Sequence, residues 1–138
     1  MISVFRLDDH NNTRTTRQKR TILEIIQGTD THPTADWIYD EAVRRDIKIS
    51  KSTIYRNLSI LVQEGKILRL DVINAASHYD GNIEKHAHLA CTRCGKLVDL
   101  MGVNMDIDES RLSKGTGYII SSASLIIYGI CPDCQRSM

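Results

Sequence analysis

The chain has 138 residues, with eighteen Lys and Arg against seventeen Asp and Glu, 41% hydrophobic and 25% charged. That length suits one domain or two very small ones and excludes a large multidomain enzyme, while the composition is that of a folded, soluble chain and excludes extensive disorder. No run approaches the ~18 apolar residues of a membrane span, and Asp8, Asp9 and Asn11 stand where a signal peptide needs an apolar stretch. A cytoplasmic protein with no membrane partner is expected.

The formal net charge of +1 favours neither acidic nor basic partners, but it is unevenly spread. Met1–Val72 carries twelve Lys/Arg and ten Asp/Glu, hence +2; Ile73–Met138 carries six against seven, hence −1. Arg14, Arg17, Lys19 and Arg20 fall within seven positions, with no acid between Asp9 and Glu24. This is a basic patch, whether it meets a partner or only water.

The first half reads as helices on short connectors. Ile22, Leu23, Ile25 and Ile26 form an apolar stripe, Gly28 ends that helix, and Asp30, Thr31, His32 and Pro33 make the turn. Thr34 caps a second helix, with Ala35, Ile38, Ala42 and Val43 facing inward and Trp37 alongside. Ser50 caps a third, which runs to Gln63 or Glu64 with Ile54, Leu58 and Leu61 at i, i+4, i+7, and Gly65 ends it. Ile67–Val72 and Ser77–Asp80 are expected as strands of a hairpin turned by Asn74-Ala75-Ala76.

Three short helices and a hairpin are the layout of a winged helix-turn-helix, whose third helix enters the DNA major groove. The polar side of that helix shows Lys51, Ser52, Thr53, Tyr55, Arg56 and Ser59: phosphate donors, a flat aromatic and a guanidinium able to read guanine. Lys51, Ser52, Thr53, Tyr55 and Arg56, with Arg14, Arg17 and Lys19, are the candidate DNA contacts. An ordinary amphipathic helix facing water would show the same periodicity.

After a linker at Gly81–Lys85 come His86-Ala-His88, a strand at Leu97–Leu100, a short helix at Asp106–Ser113, and strands at Tyr118–Ile120 and Leu125–Ile130. Cys91-Thr-Arg-Cys94 and Cys131-Pro-Asp-Cys134 are two C-x2-C pairs separated by 36 residues. Two residues between thiolates let one turn aim both sulfurs at a single ion, and two such turns complete the tetrahedral set that Zn2+ favours. Disulfides or a thioredoxin-type redox pair are the alternatives, without an oxidising compartment or a βαβ setting to favour them. His86 and His88 lie on one face of an extended segment, so both can reach one ion, which suggests a second site of nitrogen and oxygen donors.

These residues together resemble the ferric uptake regulator (Fur) family of bacterial metal-responsive repressors, over roughly Thr15 to Cys134. The motifs are His32-Pro-Thr-Ala-Asp36, Ser52-Thr-Ile-Tyr55-Arg56-Asn-Leu58, His86-Ala-His88-Leu-Ala-Cys91-Thr-Arg-Cys94-Gly95-Lys96 and Tyr128-Gly-Ile-Cys131-Pro-Asp-Cys134. The resemblance implies an α+β chain: a winged-helix DNA-binding domain at 1–80, a hinge at 81–85, and a small α/β dimerisation and metal-binding domain at 86–138. It implies structural Zn2+ on Cys91, Cys94, Cys131 and Cys134, and a regulatory Fe2+ or Mn2+ on His32, Asp80, His86, His88 and Asp99.

Asp80 and Asp99 resemble the peroxide-sensing branch, whereas iron-uptake members usually have Glu at the first of these positions. Lys85, Ala87 and Ile130 stand where iron-uptake members with an additional site often have His, Asp and His. The resemblance thus implies a homodimeric repressor on palindromic double-stranded DNA, released when peroxide oxidises His32 or His86. An iron- or zinc-uptake regulator of the same family, or a zinc-stabilised interaction module that senses nothing, is the alternative. An enzyme is not expected: a zinc nucleobase deaminase needs a catalytic Glu after its histidine and an open zinc position, and no P-loop, G-x-G-x-x-G or Ser-His-Asp pattern appears.

Overall fold

Each helix of the first half starts on a hydroxyl. In the computed structural model, which describes residues 13–104 and 106–138, Thr13 accepts from the Thr16 amide, Thr34 from that of Trp37 and Ser50 from that of Thr53. Each cap satisfies one of the backbone donors that a helix start leaves without a partner. The caps begin α1 (Arg14–Gln27), α2 (Ala35–Arg44) and α3 (Lys51–Gln63). Gly65, at φ +71, turns the chain out of α3 in a left-handed conformation that costs glycine little. Then β1 (Leu68–Leu70) pairs antiparallel with β2 (His78–Asp80), so that Leu68 faces Asp80 and Arg69 faces Tyr79.

The described residues divide into two compact units, one ending at Ile83 and the other starting at Glu84. In the first, Ile22, Ile25 and Ile26 of α1, Ile38 and Ala42 of α2, and Ile54, Leu58 and Leu61 of α3 are buried around Ile49, Ile67 and Tyr79. This is the three-helix core of a winged helix-turn-helix with the β1–β2 hairpin as its wing. Val43 departs from the expected inward face: it is 57% exposed. Ala35, Ile38 and Ala42 lie at i, i+3 and i+7 and make one stripe, and Val43, one residue past Ala42, is turned about 100° off it.

The second unit is a three-stranded sheet, with β3 (Ala87–Cys91) between β4 (Leu97–Leu100), antiparallel, and β5 (Ile126–Gly129), parallel. Helix α4 (Glu109–Thr116) begins three residues later than expected, because Asp108 supplies its cap by accepting from the Arg111 amide. Tyr118–Ile120 is not a strand: it pairs with nothing in the sheet, and Ile119 is 97% exposed. Its apolar run of β-branched residues meets surface instead. A short helix, α5 (Pro132–Arg136), follows the third cysteine, with Pro132 at its first turn and Cys131 as its cap. No helix among the described residues is long and apolar enough to cross a membrane. Asp8, Asp9 and Asn11 lie outside the described residues.

Candidate metal centres and nucleic-acid interface

The first cysteine pair closes a turn after β3. Gly95, at φ +79, takes the left-handed position, its amide bonds the Cys91 carbonyl at 3.0 Å, and the Cys91 amide bonds the Lys96 carbonyl at 2.9 Å. The second pair rides on β5 and the start of α5, and the parallel pairing of β3 with β5 sets Cys91 against Gly129. All four sulfurs fall within 4.8 Å of one another, with Cys91 and Cys134 at 3.8 Å and Cys94 and Cys131 at 3.7 Å. A tetrahedron with arms of about 2.3 Å has edges of about 3.8 Å, which is the zinc–thiolate geometry. Disulfides would need about 2.05 Å, and all four cysteines are free.

Backbone amides complete this cluster. The amides of Cys94 and Cys131 draw the Cys91 thiol down to about 6, while hydrogen bonding with Cys131 and burial push Cys134 up to about 12. Four sulfurs this close repel one another as thiolates, so full ionisation calls for a cation at their centre. The donor set and spacing fit zinc.

Imidazoles and carboxylates also meet within each unit. In the first unit, the Tyr79 amide donates to the Pro33 carbonyl at 2.9 Å, and Thr34 bridges to His78. These contacts bind the 31–34 turn to β2. His32 sits in that turn at φ 55, a left-handed conformation that few non-glycine residues adopt. Its ring is buried, with Nε2 3.3 Å from Oδ2 of Asp80, also buried. Burial and a neighbouring imidazole, His32, hold His78 below its ordinary pKa.

In the second unit the antiparallel register sets His88 directly opposite Asp99, and His88 Nε2 is 3.3 Å from Asp99 Oδ1. His86 Nε2 lies 2.9 Å from the same oxygen, and the two imidazole centres are 4.3 Å apart. His86 Nδ1 donates to the Glu84 carbonyl at 2.7 Å. That bond fixes the tautomer: with Nδ1 protonated, a neutral imidazole points its Nε2 lone pair at a carboxylate oxygen. Two acceptors at 2.9 Å need a proton or a metal ion between them, and a backbone carbonyl orienting the far nitrogen is the usual support of a metal-bound histidine. Buried imidazoles with carboxylate oxygens and no thiolate, Asp99 being the exposed member, suit a divalent ion that prefers nitrogen and oxygen donors.

Of the candidate DNA contacts, Arg14, Arg17, Lys51, Ser52, Tyr55 and Arg56 are exposed, and Tyr55 is 52% exposed although its ring is large and apolar. Lys51 pairs with Asp36 at 3.6 Å and lies 5.2 Å from the centre of the Tyr39 ring. Two others already have work inside the unit: Lys19 bonds Glu64 at 3.0 Å, and Thr53 takes part in the Ser50 cap. The Glu84 carbonyl and the Pro33 carbonyl were invisible to sequence reasoning, since a backbone group carries no residue signature.

Fold and sites define a class: a winged-helix unit, and a small mixed unit carrying a four-cysteine zinc-type cluster beside an imidazole–carboxylate set. The model of the ferric uptake regulator family matches residues 10–128, and the chain belongs to that family. It is therefore a metal-responsive transcription regulator. The chain is 35% identical over 127 residues to the peroxide-responsive repressor PerR of Staphylococcus saprophyticus, covering 91% of this chain and 85% of that protein. It is 33% identical over 129 residues to a ferric uptake regulation protein of Synechococcus elongatus, covering 91% and 88%. The crystal structure of the Campylobacter jejuni peroxide stress regulator superposes with a TM-score of 0.71 at 29% identity, covering 95% of this chain and 98% of that one.

Proposed function

We propose that the chain is a homodimeric, metal-dependent repressor that binds palindromic DNA and is released by peroxide. Its regulatory ion is held by His32 and Asp80 of the first unit together with His86, His88 and Asp99 of the second. Two ligands or three make an incomplete shell for a divalent ion, whereas five of mixed nitrogen and oxygen character suit Fe2+ or Mn2+. The observation that carries this reading is the orientation of His86, whose Nε2 is turned to Asp99 by the bond from Nδ1 to the Glu84 carbonyl.

An ion shared by both units selects one arrangement of the two. In a two-fold dimer that sets the spacing of the paired α3 helices against the half-sites of an operator. Arg14, Arg17, Lys19, Lys51, Ser52, Thr53, Tyr55 and Arg56 form the proposed DNA face. The exposed apolar side chains of the second unit, Met101, Tyr118 and Ile119 among them, support a dimer. Cys91, Cys94, Cys131 and Cys134 hold structural Zn2+ and take no part in sensing.

The peroxide reading rests on aspartate at both carboxylate positions and on the likeness to peroxide-responsive repressors. A bound Fe2+ supplies one-electron chemistry with peroxide beside its own ligands. The resemblance to the peroxide-sensing branch points to His32 and His86 as the ligands oxidised, and an oxidised imidazole is a poorer ligand. The test is to load the protein with Fe2+ or Mn2+, add peroxide, and map the peptides bearing His32 and His86 by mass spectrometry. One added oxygen on either peptide, with Fe2+ but not Mn2+, is expected together with loss of DNA binding. Both peptides unmodified while DNA binding persists would contradict peroxide sensing. The 33% identity to a ferric uptake regulation protein favours a second reading, in which occupancy follows the iron level alone.

A further inference from the structure

The wing carries a side-chain network that the metal chemistry does not use. Arg69 of β1 lies opposite Tyr79 of β2. Its Nε donates to Asp71 Oδ1 at 2.9 Å, and Ser77 Oγ donates to the same oxygen at 2.6 Å. The Ser77 bond crosses the hairpin, so the carboxylate that holds Arg69 is itself clamped from the other side. These hydrogen bonds, Ser77 first and Arg69 second, hold the Asp71 carboxyl below its ordinary range, and Asp71 raises the Arg69 guanidinium. Both groups are charged at neutral pH.

Arg69, Ser77 and Tyr79 share a cleft of about 240 Å³ with Tyr55 and Ser59 of α3. Two of its walls are the proposed recognition helix and the wing; the third is the start of α2, Thr34, Ala35 and Asp36, whose carboxylate is paired with Lys51 at 3.6 Å. Among the described residues, Asp71 is the guanidinium's hydrogen-bond partner. A guanidinium has five N–H donors, so with Nε committed the two terminal nitrogens remain as an end-on fork matched to two oxygens of a phosphate. An exposed ion pair adds little to stability, so the network does more to direct Arg69 than to hold the hairpin closed. A hairpin flanking a helix in the major groove meets the sugar–phosphate strand before it meets base edges.

We infer that Arg69 contacts DNA, clamping one backbone phosphate beside the base pairs faced by Tyr55, and that Asp71 and Ser77 are positioning residues that aim it. This rests on the DNA-binding reading above. The probe is a fluorescent duplex that the Mn2+-loaded wild-type full chain selects from a random-sequence pool, read by anisotropy across a salt series. Arg69→Ala should bind about tenfold more weakly near 0.1 M salt and lower the steepness of the salt dependence by about 0.9. The loss should be uniform over duplexes carrying single base-pair changes. Arg69→Lys keeps the charge but not the fork, so it should keep the steepness and lose about threefold in affinity.

Asp71→Ala, which removes the oxygen that both Arg69 and Ser77 bond, separates positioning from bulk charge. Removing a carboxylate near DNA tightens binding by simple electrostatics, whereas loss of aim weakens it, by about threefold. Unchanged zinc content and melting temperature show that each variant is folded. Unchanged affinity and salt dependence in Arg69→Ala, a loss confined to one base-pair position, or tighter binding by Asp71→Ala would each overturn the inference. A wild-type protein that selects no duplex overturns the DNA-binding reading itself, and this inference with it.

Discussion

The two units reach stability by different routes. In the first, three capped helices bury seven side chains of Ile or Leu, among them Ile22, Ile38, Ile54 and Leu58, around one core. At about 1.5–3 kcal/mol for each fully buried large aliphatic, that core has the means to offset chain entropy without outside help. In the second, the buried apolar residues among those described are Ala87, Ala90, Cys91 and Leu97, while Val98, Leu112, Tyr118, Ile119 and Ile127 are exposed. Two alanines bury little area. On the proposed reading, metal held by the sulfur cluster and a partner covering the apolar surface are part of this unit's fold.

The most disruptive way to probe this difference is to remove zinc. A strong chelator, or Cys134→Ser, should unfold the second unit and leave the first intact, since structural zinc in small domains contributes on the order of 10 kcal/mol. Hydrogen exchange should show lost protection in Ala87–Cys91 and Ile126–Gly129 with Lys51–Gln63 unchanged. Equal loss in both units would erase the distinction. Next in size, Leu58→Ala removes a fully buried side chain and should cost the first unit about 2–5 kcal/mol in denaturant unfolding, with zinc content unaffected.

Ile119→Asp places a charge on a residue that is 97% exposed in one chain. It should shift sedimentation toward monomer and, with the partner's cover lost, lower the unfolding midpoint of the second unit while leaving that of the first unchanged. A variant that stays dimeric would move the partner surface away from this segment. The smallest effect is expected from Thr34→Ala, which deletes the α2 cap and should cost about 1 kcal/mol in thermal unfolding.

How far each unit was legible in the sequence follows the same division. The capping hydroxyls of Thr34 and Ser50 located the starts of α2 and α3, and Gly28 the end of α1, to within a residue or so, because the first unit's core is written as an apolar stripe with local stop signals. The C-x2-C spacing announced the sulfur cluster before any contact was visible. The second unit was harder. Tyr118–Ile120 reads as a strand but pairs with nothing in the sheet, and α4 moved by three residues to the cap at Asp108. Apolar residues that face another surface carry the same pattern as residues that face a core.

The donor residues His86, His88 and Asp99 were legible by type, but their meeting depends on the β3–β4 register, a non-local pairing. The orientation of His86 depends on the Glu84 carbonyl, which no residue type encodes. Arg69, Asp71 and Ser77 passed unnoticed because an Arg-x-Asp on a hairpin is common, and the cross-hairpin bond to Ser77 appears only once the turn is closed.

The central claim is that the two donor sets have separate tasks, one permanent and one regulatory. The measurement that tests it most directly is DNA binding against added Mn2+ for the wild type and for His88→Ala, with zinc quantified in the same samples. The account predicts Mn2+-dependent binding by the wild type and none by His88→Ala, both retaining one zinc per chain. Equal binding by the two proteins, or loss of zinc together with loss of binding, would contradict it.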